Sequence, residues 1–191
     1  MSGEPLSGLT LEIHAVTRSV MYKAGVCNRW RVCFTHRDLP RPVSPMPFLQ
    51  DLPDGLESWL DAMDILEGTP FLLSPSLEYD VELNRFFHRP TLLGAPWNTQ
   101  AAYARDIAQF LNFLWASRGE RSWRGVTEAD HLAYLVWRLR DDAGPRVAGS
   151  TWNREVALLN QFYLWAVQRG HVPANPITQR DRRPPPLEAR G

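Results

Sequence analysis

The stretch from Asn98 to Pro176 decides the fold, and it opens with NTQAAYARDIAQFLNFLWASRG over residues 98–119. Apolar side chains recur there every three or four residues, which places them on one face of an α-helix. These are Tyr103, Ile107, Phe110, Leu111 and Leu114, and opposite them fall Arg105, Gln109 and Asn112. Asn98 or Thr99 is the predicted N-cap, because its side-chain oxygen can accept a first-turn N–H. Gly119 follows the last periodic residues, as expected after a helix C-terminus.

The same stretch predicts two later helices. The second begins at Thr127, which forms an approximate capping box with Asp130. Its predicted buried stripe consists of Leu132, Leu135, Val136 and Leu139. The third extends from Thr151 to Arg169, and its predicted inward-facing residues are Leu158, Leu159, Phe162, Trp165 and Ala166. Gly170 then supplies a left-handed residue. We therefore expect a mainly α chain in which residues 98–178 form a compact orthogonal bundle of the four-helix type.

The region before this bundle has mixed patterns. The predicted strands and extended segments are Leu9–Val20, Trp30–Phe34 and Pro70–Leu73, of which the first two could pair. The predicted short helices are Gly55–Leu66 and Tyr79–His88. Residues 36–53 contain five prolines, which favours an extended loop. We expect residues 1–97 to be a mixed, partly irregular region that ends in a Pro- and Gly-containing linker, Arg89–Trp97.

The charge changes sign along the chain although the total is zero. Residues 1–97 carry 8 basic and 12 acidic side chains, whereas residues 98–191 carry 13 and 9. From Asp51 to Glu82 there are nine acids and no base, which indicates either a solvated surface or a patch that repels DNA or docks against the basic half. The basic half is a modest indication of a polyanionic partner. Residues 179–191 are predicted to be a basic, proline-rich tail.

Composition restricts the possible classes of protein. The chain has 191 residues, 44% of them hydrophobic, which is enough for a packed core. No apolar run approaches the ~20 residues that span a bilayer, and the N-terminus lacks a signal-peptide pattern. We therefore expect no membrane partner and a cytoplasmic location. Cys27 and Cys33 do not complete a tetrahedral metal site with His36, so we expect reduced thiols, no metal and no cofactor.

Motifs between Thr99 and Pro176 occur in a family-like order. They are Thr99-x3-Tyr103-x-Arg-Asp-Ile, Val126-Thr127-x2-Asp130-x3-Tyr134-Leu, Ser150-Thr-x-Asn-Arg154 and Gly170-x4-Asn175-Pro176. In this order they resemble the SAM-like core-binding domain of tyrosine recombinases, the phage integrase family. The resemblance implies a function in DNA integration or recombination, with this domain clamping double-stranded DNA opposite a catalytic domain. It also implies other recombinase protomers as partners, in a tetramer on DNA.

The resemblance further implies that catalysis belongs to a separate domain, which follows the core-binding domain and uses a tyrosine nucleophile with Arg, Lys and a His-x-x-Arg box. None of the five histidines in the sequence is followed three residues later by Arg. The sequence also lacks a Gly-rich phosphate loop, a Gly-x-Ser-x-Gly elbow and a His-Glu-x-x-His motif. We therefore expect no catalytic residues, and a chain that is a truncated, remnant or separately expressed part of an integrase.

The start of the third predicted helix is the candidate DNA-binding site. Helix N-termini attract phosphates because their first N–H groups are unpaired and the helix dipole is positive there. The predicted DNA-binding residues are Arg146, Thr151, Asn153, Arg154 and Arg169. Asn153 or Arg154 could also contact a base. The alternative is that Thr151 only caps the helix and Arg154 is simply solvated.

Three other interpretations remain open. His131 and Arg138, seven residues apart on the second helix, could also reach a DNA groove. A helical protein-interaction module would use an aromatic patch and would bind with little dependence on salt. A helix-turn-helix regulator is disfavoured, because about nine residues precede Thr151 where that motif has a turn of 3–4. Most tryptophans are predicted to lie in the core, namely Trp97, Trp115, Trp123, Trp137, Trp152 and Trp165.

Overall fold

The computed structural model describes residues 28–36 and 66–177. Helices make up most of the regular structure in these ranges, which confirms a mainly α chain. The strands are β1 (Arg31–Phe34) and β2 (Pro70–Leu73). The helices are α1 (Val81–Asn84), α2 (Pro90–Leu93), α3 (Trp97–Ser117), α4 (Glu128–Leu139) and α5 (Gly149–Gln168), with a 3-10 turn at Trp123–Gly125.

Some sequence-based expectations concern residues outside the described ranges. They are the strand at Leu9–Val20, the proline-rich loop beyond His36, the helix leading up to Leu66, the thiol of Cys27 and the tail from residue 179. Within the described residues, the helix predicted for Tyr79–His88 is only the single turn of α1. The predicted linker Arg89–Trp97 contains α2 and the first residue of α3.

The two described strands form an antiparallel ladder in which Arg31 faces Leu73 and Phe34 faces Pro70. The strand predicted at Trp30–Phe34 is confirmed, but its described partner is β2 rather than Leu9–Val20. Asn84 attaches α1 to β2, because its side chain accepts a hydrogen bond from Leu72 N at 2.7 Å and donates one to Leu72 O at 3.0 Å. Both bonds are buried, and a buried amide without partners would be costly.

Compact packing divides the chain into two units, Met1–Glu120 and Arg121–Gly191. In the first unit, α3 packs on both strands. The Asn112 side chain accepts a hydrogen bond from Trp30 N at 2.6 Å, and Trp97 Nε1 donates one to Gly68 O at 3.2 Å. The division into 1–97, 98–178 and 179–191 stays a prediction, because packing does not measure whether a segment folds alone.

The α3 helix buries most of its predicted apolar face but begins earlier than predicted. Ile107, Phe110, Leu111 and Leu114 are buried, and Tyr103 is half-buried. Pro96 occupies the N-cap position, and its carbonyl accepts hydrogen bonds from the amides of Thr99 and Gln100. Because the Pro96 carbonyl already accepts the first helical hydrogen bonds, the helix begins at Trp97 and the predicted N-cap at Asn98 or Thr99 is wrong. Gly119 follows the end of the helix, as predicted, and has φ +64°.

The second unit begins with the turn that precedes α4, and its predicted capping box is confirmed. The Asp130 side chain accepts a hydrogen bond from Thr127 N at 2.9 Å, while the Thr127 hydroxyl accepts one from Asp130 N at 3.4 Å. Arg121 also pairs with the buried carboxylate of Asp130 at 3.0 Å. The Asp130 carboxylate also accepts a hydrogen bond from the Thr127 hydroxyl at 2.7 Å, so it holds both polar groups of Thr127 and the Arg121 guanidinium.

The predicted apolar stripe of α4 is wrong. Its buried face contains His131, Tyr134 and Arg138, whereas Leu132 and Val136 are each 46% exposed. The reason is that polar groups of Tyr134 and Arg138 find a partner on α5, so their burial is compensated. A rotation of the helix by about one residue position, roughly 100°, then turns the leucine stripe outward.

The predicted core of α5 is confirmed. All five of its predicted inward-facing residues are buried, namely Leu158, Leu159, Phe162, Trp165 and Ala166. Gly170 has φ +72°, as predicted for the residue after the helix. Trp123, Trp152 and Trp165 are buried, but Trp97 is 50% exposed, so not every predicted core tryptophan lies inside.

We expect a fragment of residues 98–178 to be helical by circular dichroism and to melt cooperatively, because it contains the three long helices and the charge changes sign at its start. A matched fragment of residues 28–178 keeps the hydrogen bonds of α3 to Trp30 and Gly68, and should melt at a higher temperature. Little helix in the short fragment, with a cooperative melt in the long one, would show that the N-terminal residues belong to its core.

Candidate nucleic-acid interface

The N-terminus of α5 is open and has no side-chain cap among the described residues. The helix begins at Gly149, two residues before the predicted start, with Ala148 at the N-cap position. Its first backbone bond runs from Trp152 N to Ala148 O at 3.1 Å, so the amides of the first turn have no partner within the helix. Apart from its chain neighbours and the backbone of α5, no described heavy atom lies within 4 Å of where a Cβ of Gly149 would be. Thr151 therefore lies inside the first turn, and the alternative in which it caps the helix is wrong.

The loop that precedes α5 holds Arg146 in a defined conformation. Gly144 lies so close to α4 that a Cβ there would clash with the Trp137 carbonyl oxygen. Val147 N donates a hydrogen bond to the Arg138 carbonyl at 2.9 Å. Arg146 itself has φ +44°, a left-handed conformation that is uncommon for residues other than glycine. Its exposed guanidinium forms an ion pair with Asp142, also exposed.

The first turns of α5 carry the other predicted contact residues. Asn153 and Arg154 are exposed and Thr151 is half-buried. Arg169, the C-cap residue, is also exposed but lies about 30 Å along the helix axis from Gly149. The structure thus brings Arg146, Thr151, Asn153 and Arg154 to one end of the helix and leaves Arg169 at the other. We refer to the first four residues as the N-terminal cluster.

A buried ionic network joins this end of α5 to α4. Arg138 Nε donates to the Glu155 carboxylate at 2.8 Å, and a second guanidinium nitrogen of Arg138 bonds its other oxygen. The Tyr134 hydroxyl donates to the same carboxylate at 3.1 Å. Sequence analysis did not identify this network, because Glu155 carries no signal in a polar-looking helix segment. The Arg138 guanidinium is bonded to Glu155, so the interpretation in which Arg138 contacts a DNA groove is wrong.

His131 is buried as well, which excludes it from a DNA groove. Its ring stacks on Trp152, with centroids 5.9 Å apart and an angle of 15° between the planes. Burial lowers the pKa of His131, while the charge of Glu128 acts in the opposite direction. His131 is therefore a neutral packing residue at neutral pH.

An open groove of about 600 Å³ lies between α4 and α5 in the second unit. Apolar side chains, Leu135, Leu139, Val156 and Ala157 among them, form much of its wall. The polar side chains of the lining include Arg140 and the amide of Asn153, which belongs to the N-terminal cluster. The predicted stripe of α4 is thus partly exposed at this groove instead of lying in the core.

Two features beyond α5 complete this unit. Asn175 of the predicted Asn-Pro motif donates to the Asn160 side chain at 2.7 Å and accepts from Ile177 N at 2.9 Å, which ties the chain after the helix back to α5. The Tyr163 hydroxyl donates to the Trp123 carbonyl at 3.1 Å. Burial, with a smaller effect of Asp130, raises the pKa of Tyr163 well above its usual range, so this buried phenol stays protonated.

Exposed cations also lie outside the predicted set. Arg124 lies over the Trp123 ring at 4.3 Å from its centroid, and Arg140 lines the groove at the end of α4. Neither belongs to a motif that sequence analysis could single out. Within residues 28–36 and 66–177 no group of three or more His, Cys, Asp or Glu side chains could hold a metal ion. No helix in the same ranges combines the length and apolar content needed to cross a membrane.

The segment with the candidate interface is similar to known proteins. Residues 96–170 match the family model of the phage integrase N-terminal SAM-like domain. The chain is 37% identical over 84 residues to tyrosine recombinase XerC of Roseiflexus sp. (strain RS-1), 38% over 86 residues to that of Roseiflexus castenholzii and 34% over 88 residues to that of Herpetosiphon aurantiacus. No solved structure matches the chain significantly.

These matches cover part of each protein. They include 44–46% of this chain and only 25–27% of the three relatives, so the chain spans about a quarter of their length. The matched segment begins in the first compact unit and ends in the second, and it includes α3, α4, α5 and the N-terminal cluster. Residues 96–170 are thus similar to the phage integrase N-terminal SAM-like domain, and this part of the chain is similar to tyrosine recombinases.

Proposed function

We propose that this chain binds double-stranded DNA through the N-terminal cluster and the first-turn amides of α5. The observation that carries the proposal is the open N-terminus of α5 with Arg146 and Arg154 exposed beside it. Unpaired first-turn N–H groups and the positive end of the helix dipole favour an anion at this position. A phosphate of the DNA backbone is the anion that matches both features and the basic balance of residues 98–191.

Arg146 and Arg154 supply the exposed positive charges of this site. Arg146 pairs with Asp142 in the absence of DNA, and both side chains are exposed, so exchange of Asp142 for a phosphate costs little. Arg154 lies on the exposed face of α5, one turn into the helix. Asn153 is the candidate for base contact, because an amide can bond an adenine edge through two atoms. Arg169 would contact a separate phosphate, since it lies at the other end of the helix.

The wider role follows from the family. We infer that the chain acts in site-specific recombination as the DNA-clamping arm of a tyrosine recombinase, with further protomers assembled on the same DNA. The relatives matched are tyrosine recombinases by name, and the family domain of this chain covers α3 to α5. In the family that the chain resembles, strand cleavage belongs to a separate catalytic domain, so we assign DNA contact and not catalysis to the residues named here.

A second candidate function is a protein-interaction module. The observation that favours it is the exposure of Leu132 and Val136 on α4, beside the apolar wall of the groove. Such a surface would bind its partner mainly by burial of apolar area, and its affinity would barely change with salt. The salt dependence of binding therefore separates the two functions.

We expect the chain to bind duplex DNA more weakly as the salt concentration rises. In a fluorescence anisotropy titration, log K, with K the binding constant, should fall linearly with the logarithm of the salt concentration. Each phosphate contact contributes a slope of about −0.9, so three or four contacts give roughly −3 to −4. Arg154→Ala should make the slope shallower by about 1 if Arg154 meets a phosphate. If Arg154 instead reads a base, about 1–3 kcal/mol of discrimination should disappear at one position with little change in slope.

The matched control is Arg105→Ala, an exposed arginine of α3 that lies in the first unit. We expect this variant to bind as the unmodified chain does. Equal effects of the two substitutions would show that binding is diffuse electrostatic attraction and that α5 has no special role. Absence of duplex binding at low salt would reject the DNA proposal and favour the protein-interaction module.

We expect the purified chain to form no covalent adduct with DNA. The physical reason is that none of its histidines lies in a His-x-x-Arg box that could assist a tyrosine nucleophile. The measurement is incubation with nicked suicide substrates followed by denaturing electrophoresis. A trapped phosphotyrosyl adduct would contradict this expectation and place a nucleophile within the chain.

A further inference from the structure

Arg138 is bonded to both parts of the structure that carry the N-terminal cluster. Its side chain binds Glu155, which follows Arg154 directly on α5. Its backbone carbonyl accepts the hydrogen bond from Val147 N, and Val147 follows Arg146 in the loop. One residue of α4 therefore connects to the immediate neighbours of both exposed arginines.

The bonds at Glu155 determine how α5 is rotated about its axis. Glu155 is 1% exposed and its carboxylate is held by Arg138 and Tyr134 on α4. Successive helix residues are about 100° apart around the axis. Holding Glu155 against α4 consequently directs Arg154 and Asn153 outward, where both are exposed. A slip of α5 by one residue would move Arg154 from this face.

Stability alone does not account for such a network. A buried ion pair loses much hydration, and apolar residues of similar volume often stabilise a fold as well or better. A bidentate guanidinium–carboxylate pair differs from an apolar contact in its directionality, because its two parallel bonds permit one relative orientation. The pair is thus suited to specifying an arrangement of α4, α5 and the intervening loop.

We propose that Arg138 and Glu155 are positioning residues that set the spacing between Arg146 and Arg154 for contact with DNA phosphates. The inference rests on the proposed DNA-binding function and adds to it two residues that do not touch DNA. Arg138 is 7% exposed and Glu155 is 1% exposed, so neither acts by direct contact. Their effect on binding passes through Arg146 and Arg154.

The test uses the full chain with the double substitution Arg138→Met and Glu155→Leu. These apolar residues fill similar volume, so the fold should be kept, as judged by circular dichroism and a urea titration. We expect the slope of log K against log salt to become shallower by about 1 to 2, because one or two phosphate contacts are lost. Tyr134→Phe is the matched control: it removes the third bond to Glu155, keeps the ion pair and should leave the slope unchanged.

A second comparison distinguishes positioning from general loosening. Arg154→Ala should reduce the slope in the unmodified chain but have little further effect in the double variant, where Arg154 is already misplaced. Independent, additive effects of the two changes would overturn the inference. If the double variant does not fold, Arg138→Lys replaces it in the test, because lysine keeps the charge without the bidentate geometry. An Arg138→Lys variant that binds DNA with the affinity and the salt slope of the unmodified chain would also overturn the inference.

The outcomes separate this inference from the function on which it rests. In one outcome, the salt slope of the unmodified chain depends on Arg154 and the folded double variant has the same slope as the unmodified chain. This outcome would support DNA binding and reject the positioning role of Arg138 and Glu155. An unmodified chain that binds no duplex DNA would reject both. A shallower slope in the folded double variant, with Tyr134→Phe unchanged, would support positioning.

Discussion

Phe162→Ala is expected to lower the free energy of unfolding of the second unit by about 3–5 kcal/mol, the range found when a buried aromatic ring is removed. Phe162 is 1% exposed. Its ring lies between those of Trp123, Tyr163 and Trp165, with centroid distances of 5.4, 5.1 and 5.8 Å. Three large neighbouring side chains cannot all move to fill the space, so a cavity would remain.

The measurement is a urea titration followed by circular dichroism and tryptophan fluorescence. Leu164→Ala is the matched control, because Leu164 belongs to the same helix and is 46% exposed. That substitution should change the free energy of unfolding by less than about 1 kcal/mol. A similarly small change for Phe162→Ala would mean that Phe162 is not part of the core and that the buried face of α5 is misassigned.

Glu155→Ala is expected to have an effect of similar size, about 3–5 kcal/mol, through a different cause. The substitution removes the carboxylate that receives Arg138 and Tyr134, and it leaves the Arg138 guanidinium charged and 7% exposed. A buried charge without its partner loses hydration and gains nothing in return. Most of the lost stability would therefore come from the uncompensated burial of the Arg138 charge and not from the loss of the Arg138–Glu155 contact itself.

The double variant Arg138→Met and Glu155→Leu provides the comparison for this effect. It removes both charges, so its free energy of unfolding should lie close to that of the unmodified chain. Glu128→Ala, a change at an exposed acid on α4, is the control for loss of a carboxylate. A loss of less than about 1 kcal/mol for Glu155→Ala would indicate that water reaches the Arg138 guanidinium and that the pair is not buried in solution.

The long helices of this chain could be predicted from local information. The capping box of Thr127 and Asp130 marks the start of α4, and the left-handed Gly119 and Gly170 follow the ends of α3 and α5. The buried face of α5 is equally clear, because its inward positions are all apolar and follow the helical period. Such signals depend on neighbours within about one turn, so they are present in the sequence itself.

The buried face of α4 could not be predicted in the same way. Hydrophobic periodicity selected Leu132 and Val136, which are exposed, because the aliphatic stripe bypasses Tyr134 and the charge of Arg138 counts against burial. Burial of those two side chains depends on Glu155, a residue 17 positions from Arg138. The pairing of β1 with β2 is another long-range choice, since Arg31 and Leu73 are far apart along the chain.

The sequence on its own thus specified the three long helices, the glycines that follow α3 and α5, the family resemblance of residues 98–176 and the residue types at the start of α5. The tertiary structure was needed to show that Ala148 leaves the α5 N-terminus without a side-chain cap among the described residues and that Arg169 lies at the far end. It was also needed to show Arg138 bonded to both α5 and the loop. The physical reason is range: caps and periodicity act between neighbours, whereas a buried charge is tolerated only where the fold brings its partner to it.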